Sequence, residues 1–182
     1  DIEVAALIAR LASHPPTATP QDAAAAAAAL PVVRAWALPR GATVLLALTP
    51  SAGGASEALE AALQAAGLKV RHWRRMSEAG GAEATAWPTG GPYDAALLRL
   101  PHTRGAFEYA LHALAAVLRP GALLLVFGSR AEGIATAASR LRAAPTAPAP
   151  AGAALYDGVA HTPGGDAADV GVVRATCAGS AD

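Results

Sequence analysis

A short basic segment that contains one tryptophan is the part of this sequence whose residue types most directly suggest chemistry. Arg71, His72, Trp73, Arg74 and Arg75 follow one another along the chain. Guanidinium groups bind phosphates, and an exposed indole stacks on a nucleobase, so the composition is typical of a contact with RNA. The alternative is that Trp73 packs in the core and the arginines are solvated at the end of a strand, as basic clusters on surfaces often are.

A second polar group follows an apolar run of strand length, residues 95–100. His102, Thr103 and Arg104 come directly after it. Open α/β folds bind their ligands beyond the carboxyl ends of parallel strands, so this position favours an anion or RNA site. The alternative is an ordinary loop with residues that begin a helix. The candidate RNA-binding residues are therefore Arg71, Trp73, Arg74, Arg75, His102 and Arg104.

The other reactive side chains are scattered. The histidines show no spacing typical of a metal site, and Cys177 is the single cysteine, so neither an intrachain disulfide nor a cysteine zinc cluster can form. No phosphate-binding loop and no nucleophile elbow appears. We therefore predict no metal and no catalytic residue.

The composition limits the partners. The chain has 182 residues, with 14 basic and 14 acidic side chains, so it has no overall attraction to nucleic acid or to an anionic membrane. Any RNA contact has to come from a local patch. No apolar run is long enough to cross a membrane. The length fits one domain, which we place at residues 39–182 after a helical segment at 1–38.

Strands and helices alternate in the predicted order of elements. Uninterrupted apolar runs predict strands that are covered on both faces, as in a parallel sheet, and the segments between them predict helices. A shorter edge strand is expected around residues 84–87, and two final strands are expected to pair as a hairpin. The predicted fold is an α/β domain with a doubly wound, mostly parallel, seven-stranded sheet and a C-terminal antiparallel hairpin. The predicted strands are 43–48, 68–73, 84–87, 95–100, 123–127, 154–160 and 170–177.

One stretch of the chain carries a more specific resemblance. Tyr93-Asp94 opens a strand that ends at Leu100-Pro101-His102, and the turns Arg119-Pro120-Gly121 and Gly128 to Ile134 follow. This order of turns resembles the N-terminal domain of the bacterial small-subunit ribosomal RNA guanine-N2 methyltransferases. The detailed match covers about a quarter of the chain, and the remainder agrees in the order of elements. The resemblance implies the Rossmann-like class I methyltransferase fold.

The same resemblance implies a role. In that family the methyltransferase fold is duplicated; the C-terminal copy binds S-adenosylmethionine, and the N-terminal copy supports folding and RNA recognition. We therefore expect a non-catalytic, structural or RNA-binding unit, a pseudoenzyme without a cofactor. Its expected partners are ribosomal RNA, a ribosomal particle, or a catalytic domain in the same natural chain. The expected compartment is the cytoplasm or the mitochondrion.

The turn residues that the family chemistry requires are changed here. The turn at Thr49 to Gly54 contains glycines but lacks the Gly-x-Gly spacing, and the second strand ends in arginines where an acidic residue would hold the ribose. After Leu100 one proline remains, without the asparagine and aromatic residue that act on the base. The alternative is an active RNA methyltransferase with divergent motifs, in which Gly53, Gly54 and Asp94 would bind S-adenosylmethionine.

Overall fold

A computed structural model describes most of the chain. The described residues are 20–48, 55–75, 84–143, 156–163 and 170–178. Residues 1–19 of the helical segment predicted at 1–38 and the turn at 49–54 lie outside them.

The described residues form ten elements, which we number in chain order. They are α1 (Pro20–Arg34), β1 (Thr43–Ala47), α2 (Ala55–Ala65), β2 (Lys69–Trp73), β3 (Tyr93–Arg99), α3 (Arg104–Val117), β4 (Leu118–Ser129), α4 (Ile134–Ala143), β5 (Tyr156–Pro163) and β6 (Val170–Cys177). They build one sheet of six strands in the order β2-β1-β3-β4-β6-β5. The pairs β1–β2, β1–β3 and β3–β4 are parallel. The pairs β4–β6 and β5–β6 are antiparallel.

Helices cover both faces of the sheet, because the central strands are apolar on both sides. On one face, α1 and α2 pack their buried side chains, such as Ala29 and Leu63, with Val44 and Leu97. On the other face, α3 and α4 pack on a second set of strand residues. The central strand β3 is buried from Ala95 onward. The predicted doubly wound α/β architecture and the C-terminal antiparallel hairpin are therefore present.

The expectation of seven strands is corrected by the structure, whose described residues form six. The segment expected to be the extra edge strand, 84–87, is irregular. Its hydrogen bonds explain why. The Thr85 amide donates to the Arg74 carbonyl at 2.8 Å, while the Thr85 and Ala86 carbonyls accept from the side chains of Trp73 and Tyr109. The segment thus lies beyond the end of β2 and does not extend along a strand. The sheet is also mixed and not uniformly parallel.

The helix α1 belongs to the same core as the sheet. Ala25, Ala26, Ala29 and Val33 are buried on its inner side. Alanine side chains let this helix approach α2 and the strands β4 and β6 closely. The boundary predicted at residue 38 stays a prediction, but this helix packs on the sheet.

Within the described residues, no helix is both long enough and apolar enough to cross a membrane.

Candidate functional site

The carboxyl ends of four neighbouring strands meet at one edge of the sheet. The strands β2, β1, β3 and β4 are parallel, and their registers place Trp73 beside Ala47 and Arg99 beside Phe127. The residues that follow these strands therefore lie along a common border, which we call the carboxyl edge. This edge is where open α/β sheets bind ligands. It contains Arg74 and Arg75 from the first basic group that the sequence singled out, and His102 and Arg104 from the second.

Trp73 does not stack on a ligand. Its side chain is 1% exposed and belongs to the core. Its indole Nε1 donates to the Thr85 carbonyl at 3.1 Å, so the one polar atom of the ring is also satisfied. The prediction that Trp73 contacts a base is therefore wrong, and the alternative given with it, a core tryptophan at a strand end, is what the structure shows.

The neighbouring arginines occupy different positions. Arg71 is exposed in the middle of β2, away from the carboxyl edge. Its charge acts on Tyr93: burial raises the pKa of that phenol, and Arg71 partly opposes the increase. Arg74 and Arg75 follow β2 at the carboxyl edge. Arg74 lies beside His72, with Nη2 3.3 Å from Nδ1, and its buried Nε has no hydrogen-bond partner among the described residues.

Arg75 lies beside an aromatic pair that the sequence analysis did not identify. Its guanidinium carbon is 4.6 Å from the centre of the Tyr109 ring, a cation–π geometry. The Tyr109 ring meets Trp87 edge to face, with the ring centres 5.5 Å apart and the planes at 89°. Trp87 is 42% exposed. We call Arg75, Trp87 and Tyr109 the aromatic–arginine cluster.

The second predicted group lies at the start of α3. Thr103 caps this helix, and its Oγ1 accepts from the Ala106 amide at 3.2 Å. His102 is exposed, and its Nδ1 is 3.9 Å from Glu132 Oε1. Arg104 is exposed and donates to Glu108 one helical turn later, at 2.8 Å. The structure thus places His102 and Arg104 on the carboxyl edge, although Glu108 already neutralises part of the charge of Arg104.

A buried ion pair closes the border between β3 and β4. Arg99, the last residue of β3, donates from Nη1 and Nη2 to the two carboxylate oxygens of Glu132, at 2.8 and 2.7 Å. Both side chains are 7% exposed. Glu132 Oε2 also accepts from the Ser129 amide at 2.8 Å, and Ser129 Oγ accepts from the Glu132 amide at 3.2 Å. This reciprocal pattern is a capping box.

The surroundings of Glu132 keep it ionised. Burial by itself would raise the pKa of this carboxyl group. The hydrogen bonds from Arg99 and Ser129, together with the positive charge of Arg99, outweigh burial and lower the pKa to about 2. A carboxylate with this pKa does not donate or accept protons near neutral pH. The pair therefore has a structural role at the strand ends, and Glu132 does not act there as an acid or a base.

Asp94 lies at the opposite edge of the sheet. It is near the amino end of β3, where its Oδ2 accepts from the amide of Thr43, the first residue of β1, at 2.8 Å. Its Oδ1 is 3.3 Å from Arg119. Five residue steps of β3, about 17 Å, separate Asp94 from Arg99 at the carboxyl edge. Asp94 therefore does not take the cofactor-binding position of the alternative hypothesis. Gly53 and Gly54 lie outside the described residues.

Metal binding finds no support in the part of the chain that the structure describes. No group of three or more histidine, cysteine, aspartate or glutamate side chains is arranged there to hold a metal ion. The single cysteine, Cys177, is buried in β6.

Two signals in the sequence point to the residues that were missed. Glu132 follows Ser129 by three positions and precedes the apolar Ile134, the spacing of a capping box. Tyr109 falls between Phe107 and Leu111 and off the apolar stripe of α3, so an exposed aromatic side chain is expected at that position. No pattern marks Trp87, because its loop has no periodicity.

Comparisons with known proteins find relatives at the level of structure. No protein-family model matches the chain, and no curated protein matches it. One similar structure is the T. thermophilus 16S rRNA N2 methyltransferase RsmC, in complex with AdoMet and guanosine (TM-score 0.49, 21% identity, 84% of this chain). Another is the precorrin-6y C5,15-methyltransferase of Geobacter metallireducens (TM-score 0.49, 16% identity, 83% of this chain and 86% of that one).

A third similar structure is a 16S rRNA adenine N1-methyltransferase from Catenulisporales acidiphilia (TM-score 0.49, 16% identity, 84% of this chain and 91% of that one). The structural neighbours are class I methyltransferases. This chain spans 39% of the length of RsmC. These neighbours include 16S rRNA methyltransferases, but they do not confirm the N-terminal domain of the guanine-N2 family that the sequence suggested.

The expectation that the chain has no cofactor is corrected by these neighbours. They are methyltransferases, and one of them is in complex with AdoMet. The described residues do not by themselves complete its ribose site. After β2 the chain continues with Arg74 and Arg75, and the buried carboxylate of Glu132 is held by Arg99.

Proposed function

We propose that this chain is an RNA-binding domain with a methyltransferase-like fold and that the carboxyl edge is its RNA-binding surface. The observation that carries the proposal is the pair Arg74 and Arg75 at that edge, where no described carboxylate forms an ion pair with either. Glu132 is held by Arg99 and Glu108 by Arg104. Among the described residues, the basic groups at the edge are therefore only partly neutralised by ion pairs.

Phosphate groups fit this surface better than other anions would. Within the described residues the buried Nε of Arg74 has no hydrogen-bond partner, and an arginine has several donors that can bind phosphate oxygens in pairs. His102 adds an exposed ring beside the start of α3. The amides of an exposed helix start also favour anions. A backbone with regularly spaced phosphates can contact these groups together, whereas a single small anion can contact only one.

The proposed role is non-catalytic. The turn from Leu100 to Thr103 has neither the asparagine nor the aromatic residue that a base-methylating turn uses. The adjacent strand end is filled by the ion pair of Arg99 and Glu132. We propose that the domain positions ribosomal RNA, on a ribosomal particle or for a catalytic domain of the same natural chain, in the cytoplasm or the mitochondrion.

The test is a titration of fluorescently labelled small-subunit ribosomal RNA fragments with the purified chain, followed by anisotropy at several salt concentrations. This RNA is chosen because two of the similar structures are 16S rRNA methyltransferases. We expect affinity to fall with salt, with a logarithmic slope of about 0.7 to 0.9 for each phosphate contacted. Replacing Arg74 and Arg75 by alanine together should reduce that slope by roughly 1.5.

The matched control is Arg119→Ala. It removes one exposed arginine from the amino edge of the sheet, where Arg119 pairs with Asp94. Its effect on the affinity for RNA should be small. Equal losses in the double variant and in Arg119→Ala would show that binding has no preferred surface, and absence of binding would refute the proposal. Methyl transfer to these fragments from S-adenosylmethionine would refute the non-catalytic part and support an active enzyme.

A further inference from the structure

We infer that the aromatic–arginine cluster is a stacking site for one unpaired nucleobase, with Trp87 as the stacking ring. This inference rests on the proposed RNA-binding function and adds the form of RNA that the edge accepts. It concerns a position after β2 and not the turn after β3, where base-methylating enzymes act.

Trp87 differs from the other large apolar side chains of the described residues. It is the one that is exposed, at 42%, whereas Trp73 is fully buried in the same region. An isolated apolar side chain on a surface is ordinary. Here, however, the exposed ring lies beside the carboxyl ends of the strands and belongs to a cluster with a tyrosine and an arginine.

Three hydrogen bonds hold the loop that presents Trp87. The Thr85 amide donates to the Arg74 carbonyl at 2.8 Å. The Trp73 indole donates to the Thr85 carbonyl at 3.1 Å. The Tyr109 hydroxyl donates to the Ala86 carbonyl at 2.6 Å. The loop is therefore fixed both to β2 and to α3 before any ligand arrives, and a preorganised ring loses less conformational entropy on binding.

The charge beside the ring selects the ligand. The guanidinium carbon of Arg75 lies 4.6 Å from the centre of the Tyr109 ring. The same tyrosine contacts Trp87 edge to face, so it holds both the guanidinium and the indole in place. A base that stacks on Trp87 carries phosphates on both sides, and Arg75 with Arg74 can bind one of them. An aromatic ring next to arginines is the usual composition of a site for single-stranded nucleic acid. An apolar protein segment would offer no negative charge to either arginine.

The base has to be unpaired, because a paired base in an RNA helix has both faces covered by its neighbours. Single-stranded loops, bulges and ends expose those faces, and proteins bind them through aromatic stacking. The inference therefore predicts a preference for single-stranded over duplex RNA that depends on Trp87 and not on net charge. The arginines alone would bind both forms.

The test compares one ten-nucleotide single-stranded RNA with the duplex of the same sequence, using anisotropy and the quenching of tryptophan fluorescence. We expect Trp87→Leu to weaken the binding of the single strand by roughly tenfold and to leave duplex binding nearly unchanged. Trp87→Phe keeps an aromatic ring and should lose roughly threefold or less. Quenching seen with the natural chain should largely disappear in Trp87→Leu.

The outcomes separate this inference from the proposed function. Unchanged binding by Trp87→Leu, or equal losses for single strand and duplex, would overturn the stacking site while the effect of Arg74 and Arg75 still supports an RNA-binding edge. Equal losses in Trp87→Phe and Trp87→Leu would also overturn it, because they would indicate a packing role. If the natural chain binds neither RNA, both proposals fail. Urea unfolding of each variant confirms that the exposed substitution leaves the fold intact.

Discussion

The guanidinium of Arg99 and the carboxylate of Glu132 meet in a two-pronged ion pair, with hydrogen bonds of 2.8 and 2.7 Å, at the point where β3 ends and the turn after β4 begins. Arg99 Nη1 also lies 3.5 Å from the Phe127 carbonyl. The pair therefore ties two strand ends and one turn together. Because both side chains are almost fully buried, each charge has lost its contact with water and is stabilised by the opposite charge instead.

Removing one charge of this pair should destabilise the fold strongly. Glu132→Gln leaves the Arg99 guanidinium buried without a counter-charge, and we expect a loss of about 3 to 5 kcal/mol in the free energy of unfolding. The measurement is urea unfolding followed by circular dichroism. The matched control is Glu108→Gln, which breaks the exposed pair with Arg104 and should cost about 1 kcal/mol or less. Equal effects of the two substitutions would show that the buried pair has no special role.

The same pair should make stability depend on acid. The pKa of Glu132 in the folded chain, about 2, lies below its ordinary value of 4.5. A carboxyl group whose pKa is lowered by folding contributes stability that is complete above the unfolded pKa and is lost as the pH falls toward the folded pKa. We therefore expect the stability difference between the natural chain and Glu132→Gln to shrink from pH 5 to pH 2.5. Urea midpoints at successive pH values test this, and a constant difference would contradict it.

Gly128 should not tolerate a side chain. A Cβ at this position would be 2.8 Å from the Leu100 Cβ, which is fixed to the backbone directly after β3, and 3.2 Å from Arg99 Nη1, which is held by Glu132. We expect Gly128→Ala to lower stability by about 1 to 3 kcal/mol. Gly105 is the control, because a Cβ there meets nothing within 4 Å and it lies in the first turn of α3. Gly105→Ala should stabilise by about 0.5 to 1 kcal/mol in the same thermal unfolding assay.

Asp94 should prove structural. Its carboxylate accepts from the Thr43 amide at 2.8 Å and pairs with Arg119 at 3.3 Å, both at the amino edge. Asp94→Ala leaves the Thr43 donor without its partner, so we expect a loss of about 1 to 2 kcal/mol in stability. Calorimetric titration with S-adenosylmethionine should give the same result for this variant and for the natural chain. A selective loss of cofactor binding in a folded Asp94→Ala protein would contradict the placement.

The predictions from sequence were correct where the information is local. Buried parallel strands are apolar without interruption, so β1 and β3 could be located from their runs alone, and the antiparallel hairpin could be expected from the Gly/Asp-rich segment between two late strands. The seventh strand was a wrong expectation, because the segment 84–87 carries no periodicity. Its carbonyl groups are used by Trp73 and Tyr109, which are distant in sequence.

At the candidate site, too, some features follow from the local sequence and others depend on contacts between distant segments. The sequence by itself located the six strands of the described sheet, their order along the chain, and Arg74 and Arg75 after β2, since these facts depend on hydropathy and residue type. Only the tertiary structure decided that Trp73 is buried. Arg71 alternates onto the same face of β2 and stays exposed, so strand periodicity could not distinguish the two. The loop at 84–88 covers Trp73, and it leaves Trp87 exposed against Tyr109. Contacts between segments that are distant in sequence therefore decide which of the two tryptophans is buried.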